Sequence, residues 1–197
     1  MNTDAKTHSA AVGCVGIIAV VAFIVMWLAC YGADSSWTWG INTISDFGVS
    51  SAAADYFNYG VVLFGMILAV YGLGKTQSSA VTSRVSGNLI AIGAIFIALM
   101  GLFTVDIQNG DYHKLVALVG AGLLVLGLML SAVQSYFDGK ILAVGFAIGI
   151  FIAMFFCATQ FGYAKGEVYC LVLAVIWGLV DSAFMITDGI NNGAVTQ

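Results

Sequence analysis

The chain is 197 residues long, 61% hydrophobic and only 8% charged, with 24 glycines and a mean hydropathy of +1.01. A soluble globular domain carries about a quarter charged residues, so this composition excludes one and indicates a polytopic membrane protein. Ten acids against six lysines and arginines give a net charge of -4, spread without runs; no basic patch exists for nucleic acid or for an anionic membrane surface, and nucleic-acid binding is not expected.

The N-terminal stretch Met1 to Ser9 is short and polar, and the apolar run after it, Ala10 to Tyr31, is too long for a signal-peptide core and lacks a small-x-small cleavage site. It reads as a retained first span. A helical span needs about 20 apolar residues, and six segments qualify, at about 10–31, 56–74, 85–105, 112–132, 141–161 and 168–187. Each is apolar around its whole circumference, unlike the alternating pattern of an outer-membrane barrel. The expected fold is therefore all-α: one membrane domain over residues 1–197, a six-transmembrane-helix bundle in the cell membrane.

Lysine and arginine set the orientation. With the N-terminus inside, the inner segments hold Lys6, Lys75, Arg84 and Lys140 and the outer loops Lys114 and Lys165, which favours both termini inside. Acid then collects outside, at Asp34, Asp46, Asp55, Asp106, Asp111 and Glu167. The first outer loop, Gly32 to Asp55, is 24 residues long and carries Trp37, Trp39, Ile41, Ile44 and Phe47. Aromatic density of this kind fits the headgroup layer. The three-residue step from Ile41 to Ile44 to Phe47 predicts one face of a short interfacial helix, with Asn42, Ser45 and Asp46 turned elsewhere.

Asp55-Tyr56, Asp111-Tyr112 and Glu167-Val168 recur at 56-residue intervals. Three helical hairpins would explain the spacing, and so would hairpins of similar length that each place an acid at the positive end of a helix dipole. With no proline, no span has a proline kink. Gly145-x-x-x-Gly149 allows close approach of another backbone, as do Gly87, Gly93, Gly120, Gly122 and Gly127. Such faces serve packing within the bundle or the assembly of a homo- or hetero-oligomer. The cysteines, Cys14, Cys30, Cys157 and Cys170, form no C-x-x-C pair, which argues against zinc or dithiol chemistry. They read as buried apolar thiols, although Cys30 and Cys170 are expected near the same face, where a disulfide is conceivable.

An ionisable group at membrane depth is a functional candidate because it is costly there, about 2.5–3.5 kcal/mol for an acid at the centre of a helix. Asp181, in the sixth span beside Ser182, is the clear case: either an acid satisfied by hydroxyls or water near the inner interface, or part of an ion or proton relay. His113, with Asp106 and Asp46, supplies oxygens and an imidazole at one membrane face, a metal site or acid/base pair if they converge and otherwise a solvated histidine and two cap carboxylates. Lys75, Lys114, Lys140 and Lys165 all sit at boundaries or in loops, so no span carries a retinal-type lysine. GxSxG, HExxH and phosphate-loop motifs are absent from the sequence. No cofactor and no resident metal is expected.

Ile44-Ser45-Asp46-Phe47-Gly48, Phe57-Asn58 with Gly60, Gly101-Leu102-Phe103 and His113 at the head of the fourth span resemble the prokaryotic six-helix membrane family catalogued as domain of unknown function 998. The chain has Phe47 where leucine is usual and no proline after Phe103. The resemblance covers nearly the whole layout and implies a six-span bundle with no established activity. The Ser-Asp-x-Gly element is also similar to that of six-span proteins of the Frag1/DRAM/Sfk1 type, which implies membrane-lipid handling by analogy.

Three functions are compatible with these residues. A binding or transport protein would hold a lipid or small ligand in an outer-facing cavity lined by Asn42, Ser45, Asp46, Asn58, Asp106 and His113. A structural or assembly partner would use the glycine faces. A metal-assisted enzyme acting on lipid headgroups would use Asp46, Asp106 and His113.

Overall fold

In hydrocarbon a backbone amide has no water to bond, so a long apolar run satisfies itself by closing into a helix. A computed structural model of the protein describes residues 3–194, and among these the side chains other than those of 3–7, 109 and 191–194; Lys6, counted above for orientation, lies outside the described side chains. Six helices are long and apolar enough to cross a membrane: α1 (Thr3–Ala33), α2 (Ala54–Lys75), α3 (Val81–Met100), α4 (Asp111–Phe137), α5 (Ile141–Gln160) and α6 (Tyr163–Ala194). Short 3-10 turns cover Ile44–Val49 and Ile107–Gly110, and no strand occurs among the described residues beyond the isolated bridge between Trp39 and Asn42.

The helix ends differ from the apolar runs where polar residues find partners inside the bundle. α3 starts at Val81 rather than 85, because Thr82 and Ser86 in its first turns bond to Gln134 and to the Gly127 carbonyl of α4. It stops at Met100 rather than 105, and the Gly101 amide caps it on the Ala98 and Leu99 carbonyls. α4 runs on to Phe137 and α6 to Ala194.

The helices close a ring in chain order: α1 packs on α2 and α6, α2 on α3, α3 on α4, and α5 on α4 and α6. Two faces follow. His8 Nε2 lies 3.1 Å from the Gly74 carbonyl and Ser9 donates to the Met185 carbonyl at 3.1 Å, so the start of α1 and the ends of α2 and α6 share what we call the terminal face. Opposite lies the loop face, where the Ile44 amide donates to Glu167 near the start of α6 at 2.9 Å. Glu167 thus sits a turn inside its helix, unlike Asp55 and Asp111 in the first turns of α2 and α4.

On the loop face the long connection folds into a plug. Three residues per turn bring Ile44 and Phe47 onto one side of the 3-10 turn, and that side faces the bundle: Phe47 is 0% exposed and stacks on Trp37 at 5.1 Å. Both join Phe23, Met26, Cys30, Phe57 and Val168 in one apolar cluster. Ile41 does not share the face expected of it. It precedes the turn, just after Gly40 reverses the chain at φ +79, and is 76% exposed. Cys30 and Cys170 are unbonded, as are Cys14 and Cys157.

Helix contact relies on glycine at several places, one of them between α2 and α3. Gly72 of α2 meets Gly87 of α3, so that a Cβ on Gly72 would come 2.5 Å from the Ala91 amide nitrogen and 2.7 Å from the Gly87 carbonyl. Both obstacles are backbone and cannot swing away. Gly145 and Gly149 of α5 have nothing within 4 Å of such a Cβ. Gly72→Val is therefore expected to destabilise by about 1–3 kcal/mol, read as a lowered Tm in detergent, while Gly145→Leu leaves the Tm of the single chain unchanged.

Asp34, just beyond α1, ties the plug to the bundle. Its carboxylate accepts from the Ser36 hydroxyl at 2.6 Å and amide at 2.9 Å, and from Ser50 at 2.5 Å. These bonds, that of the Ser36 side chain foremost, hold its carboxyl below the usual range. A depressed carboxyl stabilises the folded loop above the unfolded value near pH ~4 and ceases to as pH falls through the lower folded value. Amide exchange at Ser36 is expected to accelerate, after correction for intrinsic rates, as pH drops below that point, and Asp34→Asn is expected to remove the dependence.

Candidate functional site

Tyr71 and Lys75 are four residues apart, hence on one face of α2. Lys75 is the last residue of the helix, where the negative end of the helix dipole favours a cation. A helical Cα–Cβ bond tilts toward the N-terminus, and here that sends the lysine stem away from the terminal face and into the bundle. Its ammonium is buried, 2.5 Å from Oδ2 of Asp181 on α6. It also donates to Ser131 Oγ on α4 at 2.8 Å and lies 5.3 Å from the Tyr71 ring centroid.

The Tyr71 hydroxyl donates to the same Oδ2. Ser131 is 2.9 Å from Ser86 Oγ on α3, which donates to the Gly127 carbonyl at 2.8 Å. Ser182, beside Asp181 and 1% exposed, has no partner for its hydroxyl among the described residues. α1 brings Gly13 and Gly16 against Ser182 and Tyr71, with Val12 in the same apolar cluster as Tyr71, and the two glycines let the helices close over the group.

Lys75 and Asp181 are 5% and 7% exposed. Removing one member of such a pair typically costs 3–5 kcal/mol, because the other charge is left buried and unpaired. The pair also spans the middle of the ring, since α2 and α6 do not pack on each other as α1 packs on both. The two donors converge on one carboxylate oxygen, so the nest retains capacity at Oδ1 and at Ser182 Oγ. An arrangement of this kind can hold a proton, a water or a small ion between helices, and it can open only if both charges find new partners.

Of the residues singled out from sequence, Asp181 is the acid of this nest. Its partner Lys75 was assigned to a helix boundary, which is where its Cα lies; the charge is elsewhere. Asn42, Ser45 and Asp46 belong to the plug, and Asn58 of α2 bonds to it. Asp46 accepts from the Thr43 amide at 2.8 Å and from Asn42 at 3.4 Å, capping the 3-10 turn. Asn42 accepts from the Thr38 amide, and the Ser45 and Thr43 hydroxyls lie 3.1 Å apart. Asn58 donates to the Gly48 carbonyl at 3.0 Å, and its own carbonyl oxygen is buried without a partner.

Asp106 and His113 lie at the α3–α4 corner. Asp106 is exposed and accepts from Thr104; buried His113 donates from Nδ1 to the Phe103 carbonyl at 2.8 Å. No hydrogen bond among the described residues joins that corner to the plug, and no three His, Cys, Asp or Glu side chains among them are placed to hold a metal ion.

The sequence model of a family described as "Protein of unknown function (DUF998)" matches residues 17–187, a stretch that contains the whole ion-paired nest. The chain matches no curated protein and no solved structure.

Lys75→Met and Asp181→Leu are each expected to lower stability by about 3–5 kcal/mol. The double variant, which removes both charges, is expected to recover most of that loss. Thermal unfolding of the four proteins in one detergent measures the cycle.

Proposed function

Since the chain belongs to the family of proteins of unknown function DUF998, we propose its role from its own geometry: a transport-type membrane protein that takes a small ionic ligand or a lipid headgroup between α2, α4 and α6, in exchange for the Lys75–Asp181 contact. The observation that carries this reading is the ion pair itself, 2.5 Å long and buried between helices long and apolar enough to span a membrane. Stability alone is a poor reason to keep it, because well-packed apolar residues in place of a buried pair are often neutral or stabilising. Its opening would expose one cationic and one anionic group on opposite sides of the bundle, the two partners a zwitterionic or ionic ligand requires.

With both termini inside, as the lysine and arginine distribution favours, the nest lies in the inner half of the cell membrane. The plug then closes the outer half, where Asn42, Ser45 and Asp46 are taken up in its own hydrogen bonds. A lipid tail would have to lie outside the nest, along the surface of the bundle. Two apolar grooves of about 330 and 340 Å³ run between α5 and α6 (Leu142, Phe146, Phe184) and between α2 and α3 (Met66, Ile95, Leu99). A second reading, assembly with other membrane subunits, is favoured by the open space in front of Gly145 and Gly149.

The transport reading requires the nest to open. In a variant lacking the four native cysteines and reconstituted in liposomes, Ser131→Cys is expected to react with a membrane-impermeant thiol reagent. Ala147→Cys, at a 0% exposed position in the α5–α6 core, is expected to stay inert. Equal inertness of both would make the nest a permanent staple and remove the support for transport.

A further inference from the structure

Beyond the nest, a row of polar side chains lines the contact between α3 and α4 and leads to the terminal face. At its foot Asp138 is exposed and accepts from Gln134 Nε2 at 2.8 Å. Gln134 in turn accepts from the Thr82 hydroxyl. One helical turn deeper, on the same faces, stand Ser86 and Ser131, 2.9 Å apart and both buried. Four-residue steps on a helix bring Cβ atoms within about 5–6 Å, and Thr82 to Ser86 and Ser131 to Ser135 are such steps. Ser135, next to Gln134 at the foot of the row, is buried, and no hydrogen bond from its hydroxyl is found among the described residues. Ser131 accepts from Lys75, and Lys75 meets Asp181.

We infer that this row loads the nest with protons from water at the terminal face, so that the ligand exchange at Lys75–Asp181 is driven by protonation of Asp181. The inference rests on the transport reading above and gives it a coupling ion. The row is built from hydroxyls and an amide, groups that would bond a water entering between the two levels. Its foot is set among charges that attract and release protons: Asp138, and Lys140, which pairs with Asp138 at 3.7 Å and with Asp188 of α6.

The transfer balances in protons. Lys75 gives a proton from Nζ to Oδ2 of Asp181. The Ser131 hydroxyl turns to Nζ, passes it a proton and takes one from Ser86, whose hydroxyl leaves the Gly127 carbonyl to donate to Ser131; Ser86 is refilled through water entering between Ser135, Thr82 and Gln134. The net result is one proton taken from the terminal face, an ammonium beside a neutral carboxylic acid, and an ion pair no longer holding α2 to α6. Asp181 is faced by Lys75 and Tyr71 from α2 and, through that lysine, by the uncharged Ser131 from α4; α1 carries no titratable acid, base or histidine from Ser9 to Cys30 apart from the thiols, and α5 none from Ile141 to Gln160 apart from Cys157. No second carboxylate among the described side chains is bonded into the nest.

The test is infrared difference spectroscopy of the protein in liposomes oriented with the terminal face outward, acidified from outside. A carboxylic-acid carbonyl band is expected to appear and to be missing in Asp181→Asn. In Thr82→Val/Gln134→Leu the band is expected to reach the same amplitude but to rise about tenfold more slowly, a barrier increase of about 1.4 kcal/mol. Ser135→Ala, which removes one buried hydroxyl, is expected to slow it as well and serves if the double variant does not insert. Absence of an Asp181-dependent band would overturn proton loading, while thiol labelling of Ser131→Cys would still decide for or against transport. A band that rises at the wild-type rate in the row variants would overturn the route.

Discussion

Two opposite charges that cannot stand apart in hydrocarbon set the terms for the rest of this bundle. Lys75 and Asp181 come from helices that meet through these side chains while each packs closely on α1, so the helices around them must leave a central space of the right width. Gly13 and Gly16 clear it on the α1 side, and the serines of α3 and α4 line it on the other. Tyr71 supplies the second donor that lets one carboxylate oxygen carry both a salt bridge and a hydroxyl bond. The low dielectric that makes the paired state strong makes either charge alone expensive. The pair is therefore a two-state element: held completely, or released only when something else neutralises it.

The loop face is organised by a different force. Trp37, Ile44 and Phe47 enter the apolar cluster between α1, α2 and α6, and the polar groups among them are left to bond one another. Asp46 caps the turn, Trp37 Nε1 reaches the Thr43 carbonyl at 2.8 Å, and Glu167 takes the Ile44 amide. A 3-10 turn of six residues has too few internal bonds to persist alone in water. Burial of Phe47 and these side-chain bonds are what fix it.

Class and span number were legible because a run of apolar residues admits one backbone solution in lipid. The ends of α3 were not, since Thr82 and Ser86 look like loop residues until Gln134 and Gly127 are brought alongside. The plug was half legible: the spacing of Ile44 and Phe47 predicted that they share a face, but of a helix resting in the headgroup layer rather than of a turn buried in the bundle, and the turn at Gly40 that removes Ile41 from that face depends on a backbone angle. Asp181 stood out as an acid within a span. Lys75 did not, because hydropathy locates its Cα at a helix end and says nothing of a stem leaning inward. The four-residue step from Tyr71 to Lys75, and that from Ser131 to Ser135, were the signals available; both also describe ordinary helix ends, and only packing distinguishes the cases.

α6 carries both tethers. Glu167, which holds the plug, and Asp181, which holds the nest, lie 14 residues apart (181 − 167) on one unbroken helix of 32 residues without proline. At 1.5 Å and 100° per residue they are about 21 Å apart and within ~40° of the same side. Such a helix acts as a lever with a latch at each end. A rotation that withdraws Asp181 from Lys75 carries Glu167 through the same angle beneath the Ile44 amide, so the two membrane faces of the protein share one mechanical coordinate.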